Sequence, residues 1–468
     1  MIRWAKAAGA ALVLLASACA QEPAVAPDPG SFRKVVLAGP FNEPVDLDVL
    51  ADGSVLFVEK AGKIYHWTEA GGAAEIGVLT NVFASARTDE GNEFGLVAIT
   101  ADPAFAENGF IYVMYDTKPA DRPVQRIARF HLDGARLDMS SETVVLEYPV
   151  EDNCCHTGGG MEFGRDGLLY VSTGDNTNPW SDDGYGPMDA RPGRERYDAL
   201  RSAGNTNDLR GKILRLRVTP AGGYEIPEGN LFAQAAQGRP EIYVMGARNP
   251  YTLSIDPETN AVYFGDVGPD ANDDSAERGS RGYDEINRIT GPANTGWPLF
   301  IGDNQPYHAH DYATNTNGPA FDPAHPVNAS PRNTGARELP PAQPALIFYP
   351  YAQSDRFPML GEGGRNALVA GVYRRTPQVE ESRALPRYYD GKLFIGDFMR
   401  HWMMAVTLDD AGAVANIEPF APGVELAAPL DMEFGPDGAL YVIEYGSEWF
   451  KANPDSALSR IEYTGGGD

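Results

Sequence analysis

The recurring unit of this chain is clearest in residues 166–175, which read DGLLYVSTGD. Asp166-Gly167 is a tight-turn dipeptide, because glycine readily adopts the positive φ that a short hairpin turn requires. The residues after it are rich in leucine, aromatic and β-branched side chains, which favour an extended strand. The strand then ends at a corner formed by Gly174-Asp175. The segment therefore predicts a β-hairpin with a carboxylate at the end of its second strand.

The same combination of turn and strand recurs five more times along the chain. The other turns are Asp52-Gly53, Asn108-Gly109, Thr259-Asn260, Asp390-Gly391 and Asp437-Gly438. A third strand often follows the unit, as at residues 213–216 and 286–289. Repeated multi-stranded sheets are typical of a propeller, in which each sheet buries its faces against its neighbours. We therefore predict an all-β fold, a six-bladed β-propeller with long inserted loops.

The spacing of the units is uneven, because insertions interrupt the repeat at about 176–209 and about 300–345. Loops of this length in a compact domain usually carry function. Helix is expected only in short stretches such as 230–237. We expect the strand near Phe32 to Leu37 to close the ring by joining the last blade. Two stacked β-sandwich domains are the alternative architecture, although no linker between about 40 and 460 supports them.

Composition excludes some classes of function. The chain has 468 residues, with 38 Lys and Arg against 65 Asp and Glu, which gives a net charge of −27. So acidic a surface repels phosphate backbones, and nucleic acid is therefore not expected as a partner. The 51 glycines and 37 prolines indicate a chain dense in turns, in agreement with an all-β fold.

The N-terminus has the pattern of an export signal. Arg3 and Lys6 precede an apolar run over residues 7–16, which is too short to span a bilayer and reads as a signal-peptide core. The Ala16–Cys19 stretch resembles a bacterial lipobox with Cys19 as the lipidated residue, while ordinary cleavage before Gln21 is the alternative.

We therefore expect a signal peptide over 1–20, a flexible tether over 21–31 and the propeller over 32–468. The mature chain is expected to be exported to the periplasm and anchored to the outer membrane by its lipid alone.

Candidate catalytic residues lie around the hairpin quoted above. His156 precedes three glycines that allow close approach of a ligand to the backbone, and an imidazole is the usual general base near neutral pH. A histidine hydrogen-bonded within a turn is the structural alternative. Asp175 either orients this imidazole or forms an ordinary Asx turn. Cys154 and Cys155 are adjacent, so they either close a vicinal disulfide in an oxidising compartment or remain free thiols.

Two further segments carry candidate ligands. Arg248 and Asn249 precede a strand, and an arginine there suits an anionic or quinone oxygen, or else a surface ion pair. The Gly268-Pro269 turn lies within an acidic stretch, and its carbonyls with nearby carboxylates are typical calcium ligands, or else a solvated loop. His308 and His310 form a weak pattern for a transition metal.

Together these motifs resemble the soluble quinoprotein glucose/sorbosone dehydrogenase family, which consists of six-bladed propellers that use pyrroloquinoline quinone (PQQ) and Ca²⁺. His156 and Asp175 are nineteen residues apart, which is the separation that the family shows. Other stretches also match family motifs in order along the chain, namely Gly91–Leu96, Arg248–Pro250, Gly268-Pro269, Asp284–Asn287 and Asn294–Pro298.

The resemblance implies oxidation of an aldose to its lactone, with hydride transfer to the quinone and an electron acceptor that is not known. It assigns roles to the matching positions. The implied catalytic residues are His156, Asp175 and Arg248, and the implied PQQ-binding residues are Glu93, His156, Arg248, Asn249 and Arg400. The implied calcium ligands are Gly268 and Pro269 for the ion at the cofactor, and Glu285 for a second, structural ion.

The chain also departs from the family pattern. Family members bind the PQQ carboxylates with a lysine in the fifth blade, where Arg400 is the available cation, and with arginines in the last blade, where residues 429–432 offer none. Distant quinoprotein alcohol dehydrogenases place a vicinal disulfide against PQQ, which is the analogy for Cys154 and Cys155. A Ca²⁺-dependent lactonase and a non-catalytic propeller that binds carbohydrate or protein are the competing functions.

Overall fold

A computed structural model describes residues 25–83, 92–119, 121–180, 183–234, 236–375 and 383–465. The signal peptide predicted over 1–20, with Cys19, lies outside the described residues. Of the tether predicted over 21–31, residues 25–31 are described, and they contain one 3₁₀ turn at Pro29–Ser31. Within the described ranges, no helix combines the length and apolar character needed to cross a bilayer.

Six sheets of four strands or more form the fold, and their pairing is antiparallel except for one parallel pair at the edge of blade 3. Blade 1 contains β2 (Pro44–Val49), β3 (Val55–Glu59), β4 (Lys63–Thr68) and β5 (Gly72–Val78). Blade 2 contains β6 (Leu96–Ala101), β7 (Phe110–Thr117), β8 (Val124–Asp133) and β9 (Arg136–Pro149). Blade 3 contains β10 (Gly158–Phe163), β11 (Leu169–Thr173), β12 (Lys212–Val218) and β14 (Ile242–Met245), with β13 (Tyr224–Glu225) and β18 (Ala293–Asn294) at its edge.

The second half of the ring follows the same plan. Blade 4 contains β15 (Pro250–Ile255), β16 (Val262–Asp266), β17 (Asp284–Ile289) and β23 (Ile347–Tyr349). Blade 5 contains β24 (Ala367–Val372), β25 (Leu393–Asp397), β26 (Met403–Leu408) and β27 (Val414–Pro419). Blade 6 contains β28 (Pro429–Phe434), β29 (Leu440–Glu444), β30 (Ala457–Tyr463) and β1 (Phe32–Ala38).

The predicted propeller with six blades is confirmed. The first strand of each blade packs against the first strand of the next, which arranges the blades around a central channel. The N-terminal strand β1 pairs antiparallel with β30, and Phe32 lies opposite Tyr463. The expectation that this strand closes the ring in the last blade is therefore confirmed. Closure of this kind leaves only short outer edges exposed.

The repeated hairpins form for the reason that the sequence suggested. The turn glycines Gly53, Gly167, Gly391 and Gly438 all have φ between 70° and 82°. The second strands of blades 1, 3, 4, 5 and 6 are buried along their whole length, because both faces of each sheet are covered by a neighbour. Their apolar side chains form the core between the blades.

Both long insertions were predicted to be loops, and the second of them contains strands. In the described part of 176–209, the regular elements are short 3₁₀ turns at Glu195–Tyr197 and Ala199–Arg201, whereas residues 300–345 contain two small hairpins. Those hairpins are β19 (Phe300–Ile301) with β20 (Gln305–Pro306) and β21 (His308–Asp311) with β22 (Thr316–Ala320).

The helix expected over 230–237 is not found in its described part, where the chain makes turns. The only α-helix among the described residues is α1 (Phe105–Asn108), and the other 3₁₀ segments are Pro358–Leu360 and Arg387–Tyr389.

Candidate active site at one end of the propeller

His156 and Asp175 form a buried hydrogen-bonded pair at the start of blade 3. His156 lies in the loop before β10, Asp175 follows β11, and the antiparallel pairing of these strands brings the two together. The Nδ1 atom of His156 lies 2.7 Å from Oδ1 of Asp175 and 3.1 Å from the hydroxyl of Thr177. His156 is 3% exposed and its backbone adopts φ of +61°, a strained value that this loop maintains.

Asp175 is surrounded by donors, although it is fully buried. Its Oδ1 atom also accepts the backbone N–H and the hydroxyl of Thr177, each at 2.8 Å. Its Oδ2 atom accepts the indole N–H of Trp297 at 2.7 Å. Burial acts to raise the pKa of Asp175, but His156, Arg248 and Trp297 together hold that pKa below its ordinary value. The sequence analysis missed Trp297 as a partner, although it lies in a stretch that matched the family pattern.

The adjacent cysteines form a disulfide, and Glu93 joins that corner to the neighbouring blades. Cys154 and Cys155 are bonded and buried. The backbone N–H of Glu93 donates to the carbonyl of Cys154 at 3.0 Å. In return, Oε2 of Glu93 accepts the backbone N–H of His156 at 2.8 Å and the side-chain amide of Asn249 at 3.3 Å. Glu93 therefore links the loop of His156 to the predicted Asn249 of blade 4.

Arg248 and Asn249 are positioned by Asp266. The Asp266 carboxylate accepts the backbone N–H of Arg248 at 2.9 Å and that of Asn249 at 2.7 Å. The carbonyl of Arg248 accepts the backbone N–H of Asp175 at 2.7 Å, which ties this segment to the His156 pair. The Arg248 guanidinium donates to the Val267 carbonyl at 2.9 Å. Burial raises the pKa of Asp266 to about 7.

The Gly268-Pro269 turn lies beside this cluster. It is contacted by Arg365, a cation that the sequence analysis missed. A side chain at Gly268 would overlap the carbonyl oxygen of Tyr283, so the close packing of the turn requires glycine. The buried guanidinium of Arg365 pairs with Asp284 and donates to the Pro269 carbonyl. One lone pair of a carbonyl predicted to bind calcium is therefore already used by arginine.

Glu285 is buried on β17 opposite Asp266 of β16. Its carboxylate accepts the backbone N–H of Gly302 at 2.6 Å and the amide of Asn287 at 3.0 Å, and burial raises its pKa to about 8. In the part of the chain that the structure describes, Asn287 Oδ1 and the Tyr307 hydroxyl are buried without hydrogen-bond partners. No three His, Cys, Asp or Glu side chains within the described ranges are grouped as a metal site would require.

The sequence analysis named Arg400 as the cation available for a PQQ carboxylate, but in the structure Arg400 binds backbone carbonyls. Its guanidinium donates hydrogen bonds to the backbone carbonyls of Pro350, Leu360, Gly361, Gly363 and Gly364. An arginine has five N–H donors, so these contacts use its full capacity. Arg400 therefore organises the loop before blade 5, and it has no N–H free to bind a cofactor carboxylate in this arrangement.

A largely apolar cavity, with five aromatic residues in its walls, opens beside Glu93 and Asn249. The described residues that line it are Val45, Lys60, Asn92, Glu93, Val97, Asn249, Tyr251, Asn366, Phe398, Leu430, Tyr445, Trp449 and Phe450. Phe398 and Leu430 come from the two stretches in which the family resemblance placed cations. Aromatic faces and a few polar groups in a concave site are typical of a pocket for a flat organic ligand.

The structure therefore brings most of the predicted residues together. His156, Asp175, Arg248, Asn249 and Glu93 are connected through direct hydrogen bonds. Gly268 is joined to Asp284 by a hydrogen bond of 3.0 Å, and Asp284 is paired with Arg365. Trp297, Arg365 and the aromatic cavity wall are additions that only the three-dimensional arrangement reveals.

Curated proteins similar to this chain include two sugar dehydrogenases. Aldose sugar dehydrogenase YliI of Escherichia coli is 26% identical over 275 residues, which are 58% of this chain and 63% of that protein. Quinoprotein glucose dehydrogenase B of Acinetobacter calcoaceticus is 25% identical over 332 residues, which are 66% of this chain and 64% of that protein. The chain thus matches less than two thirds of the length of these relatives.

Solved structures share the fold. The apo form of the soluble aldose sugar dehydrogenase of Escherichia coli aligns with a TM-score of 0.57 at 20% identity, over 92% of this chain and 99% of that one. The PQQ-bound aldose sugar dehydrogenase of Streptomyces coelicolor aligns with a TM-score of 0.58 at 19% identity, over 93% and 99%. The profile of the Glucose / Sorbosone dehydrogenase family matches residues 41–337, and the chain belongs to that family.

Proposed function

We propose that this protein oxidises a hydroxyl group of an aldose to give the lactone, with PQQ as the hydride acceptor. The observation that carries the proposal is the buried His156–Asp175 pair, joined through hydrogen bonds to Arg248, Asn249 and Glu93 beside an aromatic cavity. Family membership and the names of the dehydrogenase relatives support the same reaction class.

The cavity suits a flat cofactor. Tyr251, Phe398, Tyr445 and Trp449 provide aromatic faces against which a planar ring system could stack. Asn366 Oδ1 is buried without a hydrogen-bond partner among the described residues, so a polar group of a ligand would satisfy it. Glu93 and Asn249 complete the polar part of the wall. When bound, PQQ would supply the two-electron acceptor that no amino-acid side chain provides.

The protein residues would divide the acid–base work. Asp175 faces Nδ1 of His156, so the proton of the neutral imidazole is assigned to Nδ1 and Nε2 is left as the acceptor. His156 Nε2 would then take the proton of the sugar hydroxyl as a general base. Asp175 would stabilise the imidazolium that forms, and Arg248 would stabilise negative charge that develops on oxygen.

We propose calcium as the second cofactor, with the carbonyls of Gly268 and Pro269 as ligands of the ion at the PQQ site and Glu285 as a ligand of a second, structural ion. The donor set fits a hard cation best at Glu285, where a buried carboxylate lies near the partnerless Asn287 Oδ1. The Pro269 carbonyl fits less well, because Arg365 already donates to it. A cation at Glu285 would remove the cost of ionising a carboxylate whose pKa burial raises to about 8.

The test is reduction of an artificial dye by purified protein with PQQ, Ca²⁺ and an aldose. We expect His156→Ala to lower kcat by about 10²–10⁴-fold, which is the usual contribution of a general base. His310→Ala is the matched control, because His310 lies on an exposed hairpin and hydrogen-bonds Asn317. Full dye reduction by His156→Ala would reject the assigned base. Lactone hydrolysis without any response to PQQ would instead indicate a hydrolase, and sugar binding without turnover would indicate a binding propeller.

Export and lipid anchoring also remain part of the proposal. The observation behind them is the charged and apolar pattern of residues 1–20 with Cys19 at its end. Labelling of the protein by radioactive palmitate in a bacterial host, and its loss in Cys19→Ala, would support the anchor. Equal release of both proteins into the soluble periplasmic fraction would contradict it.

A further inference from the structure

The aromatic cavity has few positive charges for a ligand that carries several carboxylates. Among the described residues that line it, Lys60 is the one cation, and it comes from the turn between β3 and β4 of blade 1. At the positions where the family resemblance placed cations in the fifth and last blades, the wall is formed by Phe398 and Leu430, which cannot pair with a carboxylate. The other lining residues from these two blades, Asn366, Tyr445, Trp449 and Phe450, carry no positive charge either. The positive charge on this side of the cavity is therefore supplied from a different blade.

Lys60 is held in place along its whole length. Its backbone N–H donates to the Glu43 carbonyl at 3.0 Å, and its own carbonyl accepts the N–H of Leu96 at 2.9 Å. Its side-chain stem lies against Gly95, where even a methyl group would overlap Cγ of Lys60. A lysine that is fixed in this way loses less conformational entropy on binding a ligand than a free surface lysine would.

The ammonium group has donor capacity left for a ligand. It pairs with the Glu43 carboxylate, donates to the Asn92 carbonyl at 2.9 Å and lies 5.0 Å from the centre of the Phe450 ring. An ammonium has three N–H groups, and these two oxygen partners leave one of them. The Glu43 carboxylate is shared with the Tyr445 hydroxyl at 2.7 Å, so it is not devoted to Lys60 alone.

We propose that Lys60 binds a carboxylate of PQQ, and that it replaces from blade 1 the cations that the fifth and last blades lack. This inference rests on the proposed function. A charge-assisted hydrogen bond between an ammonium and a carboxylate inside a largely apolar cavity is worth more than the same contact in water. Retention of PQQ by this chain thus depends on a residue outside the stretches that matched the family motifs.

The test is the dissociation constant of PQQ, measured by absorbance or fluorescence titration of the purified full chain with Ca²⁺ present and no substrate. We expect Lys60→Gln to weaken binding by 10-fold or more and Lys60→Arg to stay within about 3-fold of the wild type. Lys63→Gln is the matched control, because Lys63 is exposed and pairs with Glu75 at 3.2 Å, and its binding should be unchanged. Thermal unfolding midpoints verify that each variant is folded.

The double variant Glu43→Gln/Lys60→Gln separates ligand binding from simple neutralisation of Glu43. If Lys60 only cancels the charge of Glu43, the double variant recovers wild-type affinity and the inference is overturned. If Lys60 contacts the cofactor, affinity in the double variant stays well below that of the wild type. Equal affinity of Lys60→Gln and wild type overturns the inference while the proposed function stands, and failure of the wild type to bind PQQ overturns both.

Discussion

Two groups of buried or half-buried carboxylates lie close to the propeller axis, and they have very different partners. At the active site, Asp175 receives side-chain N–H groups from His156 and Trp297. Deeper in the central channel, a second group lines a small cavity; these channel carboxylates are Asp46, Asp48, Glu162, Asp431 and Glu433. Asp175 and Asp46 are buried, whereas Asp48, Glu162, Asp431 and Glu433 are half-buried beside this cavity, so the two groups differ in their partners and in their exposure.

The channel carboxylates connect neighbouring blades through backbone donors. Asp46 accepts the N–H of Ile99 at 2.6 Å, and Glu162 accepts that of Ile255 at 2.8 Å. In blade 6, Glu433 accepts the N–H of Val49 in blade 1 at 2.7 Å. Burial, with repulsion from the other carboxylates, raises the pKa of Glu162 to about 8 and that of Asp48 to about 6.

The contrast shows that a position near the propeller axis does not decide whether the pKa of a carboxylate is raised or lowered. Asp175, with a histidine and an indole as donors, has a pKa below its ordinary value. Asp266, only a short distance along the chain from Arg248, has backbone N–H groups as its direct donors, and burial raises its pKa to about 7. Side-chain donors from His156 and Trp297 thus help to hold the pKa of Asp175 below its ordinary value, whereas burial and mutual repulsion raise the pKa values of Glu162 and Asp48 in the channel.

The largest effect is expected from Asp175→Asn, which replaces the carboxylate that His156 and Trp297 contact. The asparagine amide cannot accept the Nδ1 proton of His156 in the way a carboxylate does, so the imidazole loses its orientation and the charge that stabilises its protonated form. We expect kcat for dye reduction to fall by about 10³-fold or more. Glu162→Gln makes the same chemical change in the channel and should stay within about 2-fold of wild type; equal losses in the two variants would contradict the assignment.

A smaller effect is expected from Trp297→Phe, which removes one donor to Asp175. Because the indole hydrogen bond lowers the pKa of Asp175, its loss raises that pKa. Activity that needs the ionised carboxylate should then decline at a higher pH as the solution is acidified, and kcat/KM should fall by about 10-fold. Trp67→Phe is the control, since Trp67 is also buried but packs against Tyr441. An acid limb of the pH profile that does not move would reject a positioning role.

The smallest effect is expected from Glu162→Gln on stability. This variant tests whether a channel carboxylate contributes to the pH dependence of the free energy of unfolding. A folded-state pKa of about 8 lies above the ordinary value for glutamate, so the folded protein holds this proton more tightly than the unfolded chain. The stabilisation from Glu162 is therefore present below about pH 4.5 and is lost as the pH rises through about 8. We compare the free energy of unfolding in urea at pH 5.5 with that at pH 8.5. The difference between these two free energies should be smaller in Glu162→Gln than in the wild type by at least about 1.4 kcal/mol, which corresponds to one pKa unit.

The matching control for that measurement is Glu75→Gln, because Glu75 is exposed and its loss should leave the pH dependence unchanged. An unaltered difference between the two pH values in Glu162→Gln would show that the other channel carboxylates hold the proton. In that case the five groups titrate as one coupled set.

Sequence reasoning succeeded where the relevant contacts are local. The hairpin of β10 and β11 brings His156 and Asp175 together from nineteen residues apart, so a spacing read along the chain was enough to pair them. The disulfide between Cys154 and Cys155 is local in the same sense. The six Gly- or Asn-containing turns likewise predicted the blades, because each turn and its two strands are contiguous.

Sequence reasoning failed where a residue takes its role from another blade or a distant loop. Trp297 lies 122 positions from Asp175, and nothing in its neighbours along the chain indicates that contact. Arg400 appeared free to bind a cofactor, yet its loop folds so that five carbonyls surround it. Lys60 drew no attention, because its place beside Glu93 depends on the packing of blade 1 against blade 2.

The amino-acid order by itself therefore determined the strands, the turns, the number of blades and the pairing of His156 with Asp175. These follow from backbone φ preferences at the turns and from the strand preference of aromatic and β-branched side chains, which act over a few residues. Only the tertiary structure decided which donor each buried carboxylate receives and which cation reaches the cavity. Those outcomes depend on contacts between blades that are far apart in the chain, and closure of the ring sets all of them at once.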